Sequence, residues 1–250
     1  MSEHKYSNGF FDYIDDGARS SARQLISVLK QEFEPTSVLD LGCGRGVWLD
    51  EWRDKGVKEI VGVDGDYVDR QHLAIEPECF LAKDLTKPID LGRKFDLAQS
   101  LEVGEHLPED ASRTLVATLT QHSARVLFSA AVPGQGGEFH INEKPLEFWR
   151  QLFAAFGYHP YDCLRPSLSH RSDVEPWYKY NSILYLTDDA ANSMSEAVRA
   201  TRIPDDVRLP HLGSFGWQLR KATVSLLPRQ VVTKIASTRA AYLNRIKAKT

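Results

Sequence analysis

The chain has 250 residues and is 42% hydrophobic, 26% charged and 10% aromatic. These values are typical of a globular protein with a full core, and they exclude a fibrous or disordered chain. Its net charge of −3 argues against a protein devoted to nucleic acid, which would be strongly basic. No run of 18 apolar residues occurs, so we expect no transmembrane helix.

The opening residues MSEHKYSNGF lack the apolar core of a signal peptide, which favours a cytoplasmic location. The cysteines agree with a reducing compartment. Cys43, Cys79 and Cys163 are odd in number and widely spaced, so they fit neither a disulfide framework nor a zinc pattern.

Apolar residues recur at helical spacing from Gly17 to Phe33, which predicts an amphipathic helix. SVLDLG (37–42) follows as a short buried strand. The next helix is expected over residues 46–56, closed by Lys55 and a left-handed Gly56. Further strands are predicted at residues 59–65, 79–85, 94–100, 124–132 and 182–187, with helices around 115–119 and at 145–157.

Buried strands that alternate with helices are typical of a doubly wound α/β fold with a mostly parallel, seven-stranded sheet. Right-handed crossovers bring the loops that follow the strands to one edge, where ligands bind. We predict three parts: an N-terminal helical cap (1–35), the α/β domain (36–188) and a basic helical C-terminal extension (189–250).

The segment VLDLGCGRG (38–46) places a glycine-rich turn between a strand and a helix. Gly42 and Gly44 allow a ligand close to the backbone, and Asp64, at the end of the next strand, can accept the hydroxyls of a ribose. A dinucleotide-binding turn would need a small residue where Val47 stands, and no Gly-Lys-Ser/Thr follows. Asp40, just before the glycines, suits a ligand that carries an amino group.

The series VLDLGCGRG, VGVDGD, AKDL and FDLAQSLEVGEHL resembles the motifs of class I S-adenosylmethionine-dependent methyltransferases over residues 36–130. The resemblance makes residues 36–188 the methyltransferase domain and implies S-adenosylmethionine as cofactor. It implies a cofactor-binding set with four parts: a methionine site (Asp40, Gly42, Gly44), a ribose site (Asp64), an adenine site (Asp84, Leu85) and a floor (Ser100, Glu102). The stretches GGEFHINEKPLEFW and WYKYNSILYL are similar to bacterial methyltransferases of polysaccharide and natural-product pathways.

Glu105 and His106 follow the cofactor-binding set in the chain and precede Pro108, where we expect a helix to begin. His140 lies in the glycine-rich loop after the fifth strand, and this topology brings it to the same edge. We predict that one histidine is the general base of methyl transfer and that Glu105 orients it. A purely structural role remains open.

A metal site is the sharper alternative. Glu102, Glu105, His106 and His140 are similar to the ligand set of small-RNA 3′-end 2′-O-methyltransferases, and Glu-x-x-Glu-His also occurs in ubiquinone-pathway O-methyltransferases. Such a set would suit Mg²⁺ or Mn²⁺ and would acidify an acceptor hydroxyl. Glu-x-x-Glu-His-Leu also occurs in many metal-free methyltransferases.

Residues 211–250 contain eight lysines or arginines and no acidic residue, which leaves −11 for residues 1–210. From Arg229 to Lys249, apolar residues recur among cations only. A basic amphipathic helix of this kind can bind an anionic membrane, a lipid-linked substrate or the acidic body of its own chain.

The leading functional prediction is methylation of a hydroxyl on a small molecule, sugar or glycan. The alternatives are metal-dependent RNA ribose methylation, against which the absence of an RNA-binding module argues, and a cofactor-binding regulatory module without turnover.

Overall fold

The computed structural model describes the backbone of residues 8–247 and the side chains of residues 15–239 and 242. Seven strands of this part form one sheet: β1 (Ser37–Leu41), β2 (Glu59–Asp64), β3 (Phe80–Ala82), β4 (Leu97–Leu101), β5 (Arg125–Ser129), β6 (His159–Tyr161) and β7 (Ile183–Leu186). Their order is β3-β2-β1-β4-β5-β7-β6, with β1 to β5 parallel and β7 antiparallel to both of its neighbours. The predicted doubly wound fold is therefore confirmed.

Ten helices accompany the sheet in the described residues: α1 (Asn8–Leu29), α2 (Val47–Asp54), α3 (Ser112–His122), α4 (Leu146–Ala154), α5 (Arg165–Leu168), α6 (Pro176–Asn181), α7 (Asp188–Asn192), α8 (Glu196–Arg199), α9 (Phe215–Val224) and α10 (Arg229–Lys247). None of the helices described combines the length and the apolar character needed to cross a bilayer.

The helices cover both faces of the sheet and bury two hydrophobic cores. On one face, Leu25 and Ile26 of α1 pack with Trp52 of α2. On the other, Leu115 of α3 packs with Trp149 of α4. Because both faces are covered, the strands read as continuous apolar runs, which made them recognisable in the sequence.

Several boundaries differ from the predictions. The first helix was expected from Gly17 to Phe33, but α1 begins at Asn8 and ends at Leu29. The third strand is only Phe80–Ala82, and β6 was not located by the sequence, because three residues around Pro160 carry no periodicity. Gly56 adopts the predicted left-handed conformation, with a φ of 95°. The three-part division of the chain stays a prediction.

Candidate active site

A cleft of about 410 Å³ lies at the carboxyl edge of the sheet. The glycine turn after β1, the end of β2 and the loop after β4 form its floor. The loop between β5 and α4 forms one side, and α9 and α10 form an outer wall. This is the edge at which the sequence predicted ligand binding.

The glycine turn is shaped by backbone hydrogen bonds. Gly42 has a φ of 86°, and its N–H donates to the carbonyl of Val63 at 2.7 Å. The Gly44 N–H donates to Oδ2 of Asp64 at 2.7 Å, and the N–H of Gly65 donates to Oδ1 at 2.7 Å. The Tyr67 hydroxyl also donates to Oδ1. Burial raises the pKa of Asp64, although these hydrogen bonds oppose the shift.

Asp40 is buried beside the turn and lines the cleft. Its Oδ2 accepts from Nε2 of Gln99 at 2.9 Å, while Oε1 of Gln99 accepts from the indole N–H of Trp52 at 2.8 Å. Burial raises the pKa of Asp40 to about 7, against the effect of the Gln99 hydrogen bond. Gln99 thus fixes the position of this carboxyl, a role that the sequence did not reveal.

Two predicted cofactor residues lie elsewhere. Leu85 lines the cleft, but Asp84 does not. The Asp84 carboxylate accepts from the N–H and hydroxyl of Thr86 at 2.9 and 2.7 Å, within its own exposed turn. Ser100 is fully buried within β4 and lies outside the cleft lining. Neither side chain lines the cleft, so contact of Asp84 and Ser100 with the cofactor stays a prediction.

Glu102 and Glu105 bring two carboxyls to the cleft. Glu102 has a φ of 57°, which is unusual for a non-glycine residue and is common at functional sites. Its Oε2 accepts from Nε2 of Gln135 at 2.6 Å, and Gln135 in turn accepts from Asn181 at 2.8 Å. Burial raises the pKa of Glu102.

Glu105 is fully buried, and burial, followed by the neighbouring Glu102, raises its pKa well above the ordinary value. Both of its carboxyl oxygens lack a hydrogen-bond partner among the described residues, as does Oε1 of Glu102. Such atoms are costly to bury unless a ligand satisfies them.

His106 and His140 meet as predicted: their ring centroids lie 4.9 Å apart, edge to face. Burial, followed by the proximity of His140, lowers the pKa of His106 to about 3, although a hydrogen bond with the backbone of Phe139 opposes the shift. His106 is therefore neutral at pH 7 and unsuited to hold a proton.

The carboxylate that orients His140 is Glu143, not Glu105 as predicted. Oε1 of Glu143 lies 2.9 Å from Nδ1 of His140. The two oxygens of Glu143 also accept from the N–H groups of Gly134 and Gly136 at 2.9 and 2.7 Å. Burial would raise the pKa of Glu143, but these hydrogen bonds, led by that of His140, lower it. Glu143 is thus a fixed anion behind the ring.

Gly137 lies against the Nε2 edge of the His140 ring, which is opposite the Nδ1 edge that contacts Glu143. A Cβ atom at Gly137 would lie 2.2 Å from Nε2 of His140. When Nδ1–H donates to Glu143, Nε2 is the unprotonated nitrogen of the ring and carries a lone pair. The spacing His-x-x-Glu was visible in the sequence, but within a loop it predicts no contact.

Glu105, His106 and His140 could also hold a metal ion. One ligand atom from each residue lies within 4.8 Å of the others, and the unpartnered oxygens of Glu105 fit this reading. One carboxylate and two imidazoles would suit Mn²⁺ better than Mg²⁺. Glu102, which the sequence placed in this set, is not part of the group that could hold the ion, and its Oε2 accepts from Gln135.

Aromatic and basic side chains complete the cleft. Trp48, Trp177 and Tyr178 line it, and the rings of Trp48 and Tyr178 lie 5.0 Å apart. From the C-terminal extension, Arg220 donates to the carbonyl of Gln135, and Val232 of α10 reaches the same cleft. The basic extension therefore packs on its own chain with one of its faces.

A family model described as a methyltransferase domain matches residues 14–162, more than half of the chain. The chain belongs to the class I S-adenosylmethionine-dependent methyltransferases. The predicted family and cofactor are thus confirmed. Asp40 and Asp64 of this methyltransferase both line the cleft. They stay the predicted partners of the cofactor's amino group and ribose.

Solved methyltransferases share this fold. The structure is similar to DesVI from Streptomyces venezuelae, with a TM-score of 0.54 and 15% identity over 73% of this chain and 100% of that one. It is also similar to an O-methyltransferase family protein from Burkholderia thailandensis, with a TM-score of 0.53 and 11% identity over 72% and 58% of the two chains. No curated protein sequence matches this methyltransferase.

Proposed function

We propose that this methyltransferase transfers the methyl group of S-adenosylmethionine to a hydroxyl of a small molecule, sugar or glycan, with His140 as the general base. The observation that carries the proposal is the pair His140–Glu143 at the cleft: Nδ1 is bonded to Glu143, and Nε2 makes no hydrogen bond to a described residue. A hydroxyl must lose its proton during methylation, and a positioned imidazole suits that step.

S-adenosylmethionine supplies a methyl group on a positively charged sulfur. The glycine turn and Asp64 hold the nucleoside end, and Asp40 attracts the amino group. His140 takes the acceptor's proton on Nε2 while the acceptor oxygen bonds to the methyl carbon and the carbon–sulfur bond breaks. Glu143 stabilises the imidazolium that results, because its charge lies 2.9 Å from Nδ1.

The surroundings of His140 favour an acceptor with several hydroxyls. Three buried carboxyl oxygens of Glu102 and Glu105 have no partner among the described residues. Hydroxyl donors of an acceptor would satisfy them. Trp177 and Tyr178 offer apolar rings on which a sugar or flat ring can stack.

The test compares His140→Ala with His72→Ala, an exposed histidine outside the cleft lining. Methyl transfer from labelled cofactor is measured on a panel of sugars and phenols, each paired with its amino analogue. We expect His140→Ala to lower kcat by about 10²- to 10⁴-fold, the usual contribution of general acid–base catalysis. Cofactor affinity, measured by calorimetry, should stay unchanged in both variants.

A hydroxyl acceptor with full activity in His140→Ala would contradict the role of His140. Turnover restricted to the amino analogues would contradict O-methylation. Cofactor binding without turnover on any acceptor would favour a regulatory module instead.

The cluster of Glu105, His106 and His140 supports one second candidate, a metal-dependent O-methyltransferase. EDTA treatment followed by Mn²⁺ or Mg²⁺ separates the two. Full activity after EDTA supports the metal-free base. Loss of activity that Mn²⁺ restores would assign the cluster to a cation.

A further inference from the structure

The exposed apolar side chains of this protein are concentrated in its C-terminal extension. Among the described residues, seven of the ten large hydrophobic side chains that are exposed lie between residues 215 and 242: Phe215, Leu219, Leu226, Leu227, Val231, Ile235 and Tyr242. Phe215 and Leu226 are each 83% exposed. We call these seven residues the extension face. Large apolar patches on a surface mark interaction sites.

The extension face follows the helical repeat. Phe215 and Leu219 are four residues apart on α9. At 100° per residue, Val231, Ile235 and Tyr242 form one stripe along α10. The neighbouring stripe of α10, with Val232 and Ala236, lines the cleft, and Leu227 and Ile235 of the extension face line it as well. The apolar stripe beside this packed side stays largely open to solvent: Val231, Ile235 and Tyr242 are 42%, 55% and 64% exposed.

The segment that carries this face contributes only positive charge. Residues 211–250 carry eight lysines or arginines and no acidic residue, and Arg229 and Lys234 are exposed on the same helix as the stripe. Exposed apolar side chains among cations are suited to a surface with anionic groups above a hydrocarbon layer.

We infer that the extension face docks on an anionic membrane surface. Phosphate backbones of a nucleic acid would engage the cations but would leave Phe215 and Leu226 in water. A second copy of the chain would cover the apolar residues but would bring two sets of eight positive charges together. An anionic bilayer satisfies both features at once.

Docking would place the mouth of the cleft at the membrane, since α10 forms both the extension face and the outer wall. The acceptor would then be an amphiphile whose hydroxyl-bearing headgroup enters the cleft from the bilayer. This consequence rests on the proposed function. Vesicle binding is measured without turnover, so its failure is distinguishable from failure of the methylation proposal.

The test is co-sedimentation of the full chain with vesicles of phosphatidylcholine alone and of phosphatidylcholine mixed equally with phosphatidylglycerol. We expect binding to the anionic vesicles and at least tenfold weaker binding to the neutral ones. In 1 M salt, where the Debye length is about 3 Å, binding to anionic vesicles should weaken by at least tenfold.

Two double variants separate the two forces. Arg229→Gln with Lys234→Gln should weaken binding by about 25-fold, since each surface cation contributes about fivefold. Phe215→Ser with Leu226→Ser should weaken it by at least tenfold through lost apolar burial. The matched control is Val207→Ser, which changes an apolar residue that is 47% exposed but lies outside the extension face; it should bind like the parent. Calorimetry with S-adenosylmethionine checks that each variant is folded.

Absence of binding to anionic vesicles would overturn the proposal. So would equal binding to neutral vesicles, or a dimer seen by light scattering that Phe215→Ser with Leu226→Ser dissociates. Salt-dependent binding of RNA with no binding of vesicles would assign the cations to nucleic acid instead.

Discussion

The cleft has two halves that are built differently. In the glycine-turn half, one continuous segment (residues 38–46) and Asp64 create the site, largely through backbone geometry. In the histidine half, side chains from two separate loops, residues 102–106 and 132–145, converge. The first half depends on local conformation and the second on tertiary structure, so a substitution should affect cofactor binding in one and turnover in the other.

Hydrogen bonding also distinguishes the halves. Asp64 accepts three hydrogen bonds from protein groups, and Asp40 accepts one from Gln99. The carboxyl oxygens of Glu105 accept none from the described residues. The glycine-turn half is therefore preorganised without a ligand, whereas the histidine half leaves hydrogen-bonding capacity for an acceptor.

Asp64→Ala should give the largest effect on cofactor binding. We expect the Kd of S-adenosylmethionine to rise by about 10- to 10²-fold, since a hydrogen bond to a charged group contributes about 1.5–3 kcal/mol. Calorimetry measures this, and kcat at saturating cofactor should change little. The control is Asp66→Ala, two residues further and exposed. A change below threefold at Asp64 would remove it from the cofactor site.

Gly42→Ala should lower the free energy of unfolding by about 3 kcal/mol, from strain at positive φ and overpacking. An added Cβ would lie 2.3 Å from Cγ2 of Val103. Gly56→Ala is the matched control, because Gly56 also has a positive φ but nothing within 4 Å; it should cost about 1 kcal/mol. The free energy of unfolding is measured by urea denaturation. An equal loss in Gly42→Ala and Gly56→Ala would show that the Val103 side chain moves to accommodate the added Cβ.

Glu143→Gln should reduce kcat by about tenfold while KM and cofactor affinity stay near parental values. Glutamine keeps the shape but removes the charge that stabilises the imidazolium. Glu143→Asp should recover part of the lost rate, which a purely structural role would not explain. Glu109→Gln, which alters an exposed carboxylate paired with Lys144, is the control. An unchanged kcat in Glu143→Gln would contradict the role of the Glu143 charge in stabilising the His140 imidazolium.

The same contrast explains how much the sequence could predict. Strands β1 and β2 with the glycine turn were found because their signals are local: apolar runs, glycines and an aspartate at a fixed spacing. The meeting of His106 with His140 followed from the topology of parallel strands. Glu143 and Gln135 were missed because both lie in a loop without periodicity, where contacts depend on tertiary packing. Asp84 and Ser100 were predicted from a motif, which gives sequence position but not side-chain direction, and neither lines the cleft.

The last prediction concerns pH and sharpens the role of Asp40. Its pKa of about 7 in the folded protein lies above the ordinary 3.8, so the folded state retains a proton that the unfolded state loses. The contribution of Asp40 to the free energy of unfolding of the cofactor-free protein should therefore be highest below pH 4. It should decline by about 2–4 kcal/mol as the pH rises to 7.

Cofactor affinity should change in the opposite direction, because only ionised Asp40 attracts the amino group of S-adenosylmethionine. We expect several-fold weaker binding at pH 6 than at pH 8, since this range spans the pKa of about 7. Asp40→Asn should flatten both profiles, while Asp54→Asn, an exposed control, should leave both intact. Affinity that is independent of pH in the parent would mean that the cofactor's ammonium group is held by other atoms. The glycine-turn half would then act through its backbone and Asp64 alone.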